Sequence, residues 1–148
     1  MKTVYFTLKN CSLSILFTLV SLVAVAQSST QKTTNTITVT VDNLKNNNGH
    51  VMFGLHTNST WLKGPGLKNE MTTIVNGKAT ITFKDVNPGT YAILVLHDQN
   101  DNKQMDFDNG MPIEDYGMSN NPMSFGPPIY NEAKFTITDK DLELNIRL

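Results

Sequence analysis

Apolar and polar residues alternate along several short segments of the chain. Residues 37–41 and 51–55 carry apolar side chains at every second position, with the turn-forming run Asn46-Asn47-Asn48-Gly49 between them. Side chains of a strand point to opposite faces in turn, so each segment predicts a strand with one buried face. The run between them predicts a hairpin turn, because Asn and Gly accept positive φ.

Later segments repeat this pattern. Residues 71–75 and 79–83 flank Asn76-Gly77, a strong hairpin signal, and alternation returns at 133–137 and 142–148. Residues 91–96 are apolar at odd and at even positions, which predicts a central strand covered on both faces. About seven short strands without helical periodicity predict an all-β fold. We expect an immunoglobulin-like or transthyretin-like antiparallel Greek-key sandwich with one long ordered loop.

The N-terminal residues have the pattern of an export signal. Lys2 and Lys9 precede an apolar stretch at 13–25, and Ala24-Val25-Ala26 fits a cleavage site. The stretch is shorter than the roughly 20 apolar residues that cross a membrane, so we expect no membrane span after cleavage. The predicted organisation is a signal peptide at 1–26, a flexible lead-in at 27–35 and a β-sandwich at 36–148. The protein is then periplasmic or extracellular.

Charge and cysteine content indicate which partners and which chemistry are not expected. The 12 basic residues are scattered and the net charge is −1, so nucleic acid is not an expected partner. Cys11 is the one cysteine and lies before the predicted cleavage site. The mature chain would therefore contain neither a disulfide nor a reactive thiol.

The connection at 98–130 is much longer than the usual length of about 4–6 residues. Its apolar residues and its Gly and Pro residues predict an ordered loop. Oxygen-bearing side chains alternate along its first part, as in an EF-hand loop that wraps Ca²⁺ with six to eight oxygens. The predicted calcium ligands are Asp98, Asn100, Asn102, the carbonyl of Gln104, Asp106 and, as a substitute for the last carboxylate, Asp108.

Two positions depart from an EF-hand loop. Lys103 occupies the sixth position, where the tight turn favours Gly, and Asn109 occupies the twelfth, where a bidentate Glu is usual. Asp and Asn also form turns without binding metal, and this alternative stays open. Four Asp residues close to Lys103 repel one another, and a bound cation would relieve that repulsion.

Several long motifs run through the second half of the chain. They are Pro-Gly-x-Tyr at Pro88, Gly89 and Tyr91, the H-D-x-N-x-N-x-x-x-D loop at His97, Asp98, Asn100, Asn102 and Asp106, then Gly110, Pro112, Glu114, Tyr116, Gly117, Ser119 and Asn120, and finally Gly126, Pro127, Pro128 and Glu132. With these motifs the chain resembles DUF2141, a family of exported bacterial proteins known as a domain of unknown function, and the resemblance covers essentially the whole mature domain. It implies export and a β-sandwich but no biochemical role. Lys103 stands where the family frequently has Gly.

The sequence predicts a non-enzymatic module that binds a protein or carbohydrate of the cell envelope, because H-E-x-x-H, G-x-S-x-G and phosphate-loop motifs are missing. One alternative is a small hydrolase with His97 as base and the neighbouring carboxylates. His97 could instead bond loop backbone. A second alternative is a copper-handling protein. It would use the loop methionines Met105, Met111, Met118 and Met123.

Aromatic residues in and beside the loop allow two interpretations. Trp61, Tyr116, Phe125 and Tyr130 could form a stacking surface for a sugar or a peptide. They could equally anchor the long loop to the sandwich.

Overall fold

The alternating segments form the strands of two sheets in the computed structural model, which describes residues 34–124 and 126–148. The predicted signal peptide and most of the lead-in lie outside these residues. The described elements are β1 (Asn35–Val41), β2 (His50–His56), β3 (Lys68–Thr73), β4 (Ala79–Val86), β5 (Gly89–Asp98), β6 (Phe107–Asp108), β7 (Met111–Pro112), β8 (Tyr116–Met118), the one-turn helix α1 (Tyr130–Ala133), β9 (Phe135–Ile137) and β10 (Leu142–Ile146).

The two main sheets enclose one core. The three-stranded sheet has the order β10-β1-β4, and the five-stranded sheet has the order β3-β2-β5-β8, with β9 also paired to β5. Neighbouring strands are antiparallel except β1 and β10, which are parallel. Inward side chains of both sheets form the core, among them Val39, Phe53 and Phe83, all at most 1% exposed. The prediction of an all-β sandwich is confirmed.

The two predicted hairpins are wrong, because each turn joins strands of different sheets. Residues 42–49 lead from β1 in the three-stranded sheet to β2 in the five-stranded sheet, and residues 74–78 lead back from β3 to β4. Asn76 and Gly77 do adopt positive φ, but only Val75 and Lys78 pair across them. The alternation predicts which face of a strand is buried, but it does not predict which strand it pairs with.

Strand β5 is central, as its apolar sequence predicts. It pairs with β2 along one edge and with β8 and β9 along the other. Tyr91, Ile93 and Val95 face the core, while Ala92 on the opposite face is wholly buried beside Trp61. Both edges of β5 are therefore paired, while its outer face is buried at Ala92 and Asp98 and half-buried at Leu94 and Leu96.

Tyr91 closes the turn that starts β5. Its hydroxyl donates a hydrogen bond of 3.0 Å to the carbonyl oxygen of Asn87, four residues earlier. The side chain is 7% exposed. A tyrosine that bonds backbone a few residues upstream is a mark of immunoglobulin-like Greek-key sandwiches. This contact supports the immunoglobulin-like form of the fold.

No helix among residues 34–124 and 126–148 is long and apolar enough to cross a membrane.

Replacement of Tyr91 by Phe should lower the free energy of unfolding by about 1 kcal/mol, because it removes the hydrogen bond that the hydroxyl of this buried side chain makes. Urea denaturation followed by tryptophan fluorescence measures the loss. Tyr130→Phe is the matched control, since the Tyr130 hydroxyl bonds the Thr90 carbonyl at an exposed site. Equal losses in the two variants would contradict the role given to Tyr91.

Candidate functional site

Asp98 ends β5 with a carboxylate that is wholly buried. One carboxylate oxygen accepts the backbone N–H of Asn102 at 3.2 Å, and the other accepts that of Lys103 at 2.8 Å. A buried carboxylate requires such donors, because it has lost its hydration. The chain after β5 therefore curls back over Asp98.

Three more predicted ligands join Asp98 in this turn. The Asn100 side-chain oxygen accepts the Asn102 N–H at 3.1 Å, and the Asn102 oxygen accepts the Gln104 N–H at 2.8 Å. The amide nitrogens of Asn100 and Asn102 both donate to the Asp106 carboxylate, at 2.6 and 2.9 Å. Four of the six predicted ligands thus lie in one hydrogen-bonded turn.

Lys103 adopts the backbone conformation that its position requires. Its φ is 62°, in the left-handed region that Gly enters most easily, and Asp101 has a φ of 60°. A non-Gly residue reaches this region at a modest cost in free energy. Lysine at the sixth position therefore does not prevent the tight turn of an EF-hand loop.

Asp108 and Gln104 differ from the other predicted ligands. Asp108 lies in β6, is exposed, and accepts a hydrogen bond from the Asn109 side chain. Within the described residues it makes no hydrogen bond to Asp98, Asn100 or Asp106. Gln104 enters the turn through its backbone, while its side chain borders a groove beside the loop. The structure does not bring Asp108 to the ligand cluster.

Glu114 ties the two ends of the turn together. Its carboxylate accepts the backbone N–H of Gln99 at 2.9 Å through one oxygen and that of Asp106 at 3.3 Å through the other. The residue is 7% exposed. Sequence reasoning did not include Glu114 among the site residues. Its place in the G-x-P-x-E motif is the signal that could have identified it.

The cluster contains few acidic groups close together. In the described part of the chain, no three His, Cys, Asp or Glu side chains form a group that could hold a metal ion. A loop of the EF-hand kind also binds calcium through side-chain amide oxygens and backbone carbonyl oxygens, which do not belong to these four residue types. The oxygen atoms that a cation could use here belong to the carboxylates of Asp98 and Asp106, the side-chain amides of Asn100 and Asn102, and backbone carbonyls.

His97 points into the sandwich and is wholly buried. Its Nε2 lies 2.9 Å from the carbonyl oxygen of Asn48 and donates to it, which confirms the predicted bond to loop backbone. Its Nδ1 has no partner among residues 34–124 and 126–148. A ring so enclosed cannot reach a substrate in solution. The geometry therefore does not favour the hydrolase.

The four loop methionines lie in different surroundings. Met111 is 69% exposed and Met123 is 95% exposed, whereas Met118 is buried beside Trp61. Met105 is half-buried and borders the groove. The copper alternative, which requires these four to converge, gains no support from this arrangement.

The aromatic residues anchor the loop. Trp61 contacts the ring of Tyr130 edge-on at 5.8 Å and donates from Nε1 to the Pro128 carbonyl at 3.0 Å. Phe125 lies outside the described residues. The contacts between Trp61 and the end of the loop support the anchoring interpretation over a stacking surface.

Ser119 and Asn120 hold the second half of the loop. The buried Ser119 hydroxyl accepts the Ile93 N–H at 2.9 Å and donates to the Ala133 carbonyl at 2.5 Å. The Asn120 amide donates to the carbonyls of Glu132 and Lys134. These bonds join β5, the loop and α1. The loop is fixed at both ends.

The fold and the site define a class of β-sandwich with a long hydrogen-bonded loop after its central strand. The chain belongs to the family described as "Uncharacterized protein conserved in bacteria (DUF2141)", which it matches over residues 39–145. The match spans both sheets and the whole loop. No curated protein and no solved structure matches the chain.

Replacement of Glu114 by Gln should loosen the turn, because an NH₂ group would face a backbone N–H at one of its two bonds. We expect faster amide hydrogen exchange at Gln99 or Asp106 and a loss of about 1–3 kcal/mol in unfolding free energy. Glu132→Gln, at an exposed site on α1, is the control. Unchanged exchange at both amides would refute the bridging role.

Proposed function

We propose that the protein is a non-enzymatic, exported binding module whose long loop is organised by Ca²⁺. One observation carries the proposal: Asp98, Asn100, Asn102 and Asp106 occupy the first, third, fifth and ninth positions of one hydrogen-bonded turn. This is the order in which an EF-hand loop presents its oxygens to calcium.

Glu114 supports the proposal as a source of the final carboxylate. An EF-hand loop takes its last ligand from a Glu at the twelfth position, where this chain has Asn109. Glu114 contacts the backbone at both ends of the turn and could take this role from outside the twelve-residue frame. Each of its oxygens retains a lone pair, because each accepts a single hydrogen bond from backbone.

The charge around the turn also supports a cation. Asp98, Asp101 and Asp106 lie within nine residues, and Lys103 is the basic residue among them. His50 forms a hydrogen bond with Asp101. Asn100 and Asn102 are exposed, so a cation from solvent can reach the turn. A divalent ion would reduce the repulsion among these carboxylates.

The turn leads directly into an exposed apolar hairpin, which would serve as the binding surface. The Ile113 N–H donates to the Asp106 carbonyl at 3.0 Å, which ties the β6–β7 hairpin to the turn. Phe107, Met111 and Ile113 are 61–69% exposed. Exposed apolar residues grouped in this way mark contact sites for proteins. Calcium at Asp106 would fix the hairpin for such a partner.

Calcium should bind the purified protein in isothermal calorimetry with a dissociation constant in the range of about 10⁻⁴–10⁻³ M that is usual for extracellular modules. At about one hundred times that constant, binding adds about 2.7 kcal/mol to the unfolding free energy, so the melting temperature should rise by several degrees. Magnesium should bind more weakly, because it demands stricter octahedral geometry.

Two variants test whether calcium binds at the turn itself or is merely attracted by the acidic residues of the loop. Asp106→Asn should weaken calcium binding about tenfold or more, since it removes a carboxylate charge from the turn. Asp108→Asn is the matched control and should leave binding unchanged, because Asp108 is exposed in β6. No heat and no change in melting temperature with calcium raised to about one hundred times the upper end of that range would disprove the calcium site.

A further inference from the structure

A groove of about 580 Å³ lies on the outer face of the five-stranded sheet. Its floor is formed by outward side chains of β2 and β5, including Met52, Leu94 and Leu96. One wall comes from residues 64–66, and the other from residues 103–105 of the loop. The groove is therefore bounded by the sandwich on one side and the candidate calcium turn on the other.

Three methionines from different elements line this groove. Met52 and Met71 are directly paired across β2 and β3, and Met105 comes from the loop. Directly opposed residues in a sheet have Cβ atoms about 5 Å apart, within reach of two flexible thioether side chains. Met71 remains 47% exposed, so it does not serve as core filling.

His56 supplies a nitrogen ligand to the same groove. Its Nδ1 lies 3.1 Å from the Thr60 carbonyl oxygen and must donate to it, which leaves Nε2 with a free lone pair. Nε2 has no hydrogen-bond partner within the described residues, although His56 is only 4% exposed. Metal-binding histidines are commonly oriented by this kind of bond from the second ring nitrogen to a carbonyl.

Gly54 makes room for this nitrogen. A Cβ atom added at Gly54 would lie 2.6 Å from His56 Nε2, so the imidazole edge rests over the glycine. Met52, Gly54 and His56 point to the same face of β2, because alternate residues share a face. The nitrogen also lies close to Gly66, where an added Cβ atom would be 3.2 Å away, so two glycines leave space around it.

We propose that the groove binds a soft monovalent metal ion of the Cu(I) type, with His56 Nε2 and the thioethers of Met52, Met71 and Met105 as ligands. Thioether and imidazole donors select Cu(I) over hard cations such as Ca²⁺. Only Met105 is shared with the methionine set that the sequence suggested. None of these four ligands belongs to the oxygen cluster, so Cu(I) binding can be measured in calcium-free buffer and a failure of the calcium site would leave this proposal standing.

The test is a Cu(I) titration under anaerobic conditions, in competition with a chromogenic Cu(I) chelator. The full chain should carry the Cys11→Ser substitution, because a thiol would bind Cu(I) by itself. We expect one equivalent of Cu(I) to bind. Met52→Leu, Met71→Leu and Met105→Leu should each weaken binding about tenfold or more, while Leu preserves side-chain volume.

Met111→Leu and Met123→Leu are matched controls, because both methionines are exposed outside the groove. They should leave Cu(I) affinity unchanged. Absence of a stoichiometric complex in the Cys11→Ser protein would overturn the proposal. So would an equal loss of affinity in the control and groove variants.

Silver(I), a diamagnetic ion of similar softness, identifies the ligands without relying on substitutions. In protein labelled at the methionine methyl groups, Ag(I) should shift the resonances of Met52, Met71 and Met105 and of the His56 ring. His56→Phe should abolish the ring signal and weaken binding, while it keeps an aromatic ring beside Trp61. Shifts confined to Met111, Met118 and Met123 would show that the groove is not the site.

Discussion

The buried carboxylate of Asp98 determines how the long loop begins. Pairing of β5 on both edges carries Asp98 into a position without contact to solvent, where its oxygens require donors. The donors come from the backbone of Asn102 and Lys103, a few residues later in the same chain. The chain can supply them only by turning back on itself. The positive φ values of Asp101 and Lys103 accompany this turn.

A second constraint acts at the other end of the loop. Ser119 is as fully buried as Asp98, and its hydroxyl bonds both β5 and the last residue of α1. The segment between Asp98 and Ser119 therefore has two fixed ends, which would lower the entropy lost if it bound a partner. Its middle part, the β6–β7 hairpin, is exposed to solvent. The sandwich thus positions a short exposed surface, as β scaffolds commonly do through their loops.

The sequence predicted local features better than long-range contacts. Alternation identified the strands and the central place of β5, and the spacing of Asp98, Asn100, Asn102 and Asp106 identified residues that lie in one turn. The turn residues wrongly predicted hairpins for β1–β2 and β3–β4. The same residue types form a turn whether the chain stays in one sheet or crosses to the other. Glu114 was missed because its bonds reach 15 and 8 residues back along the chain. The pairing of Met52 with Met71 depends on strand register, which the intervening segment does not reveal.

The candidate oxygen and sulfur sites share the short segment 102–106, and this arrangement links them physically. Asn102 and Asp106 belong to the oxygen cluster, whereas Lys103, Gln104 and Met105 line the groove. A cation held by Asp106 would restrict the backbone of Met105, its direct neighbour in the chain. If Met105 is already ordered, less conformational entropy is lost when a soft metal binds to it. Because coupling between two binding sites is reciprocal, a metal bound at Met105 would then raise calcium affinity by the same factor.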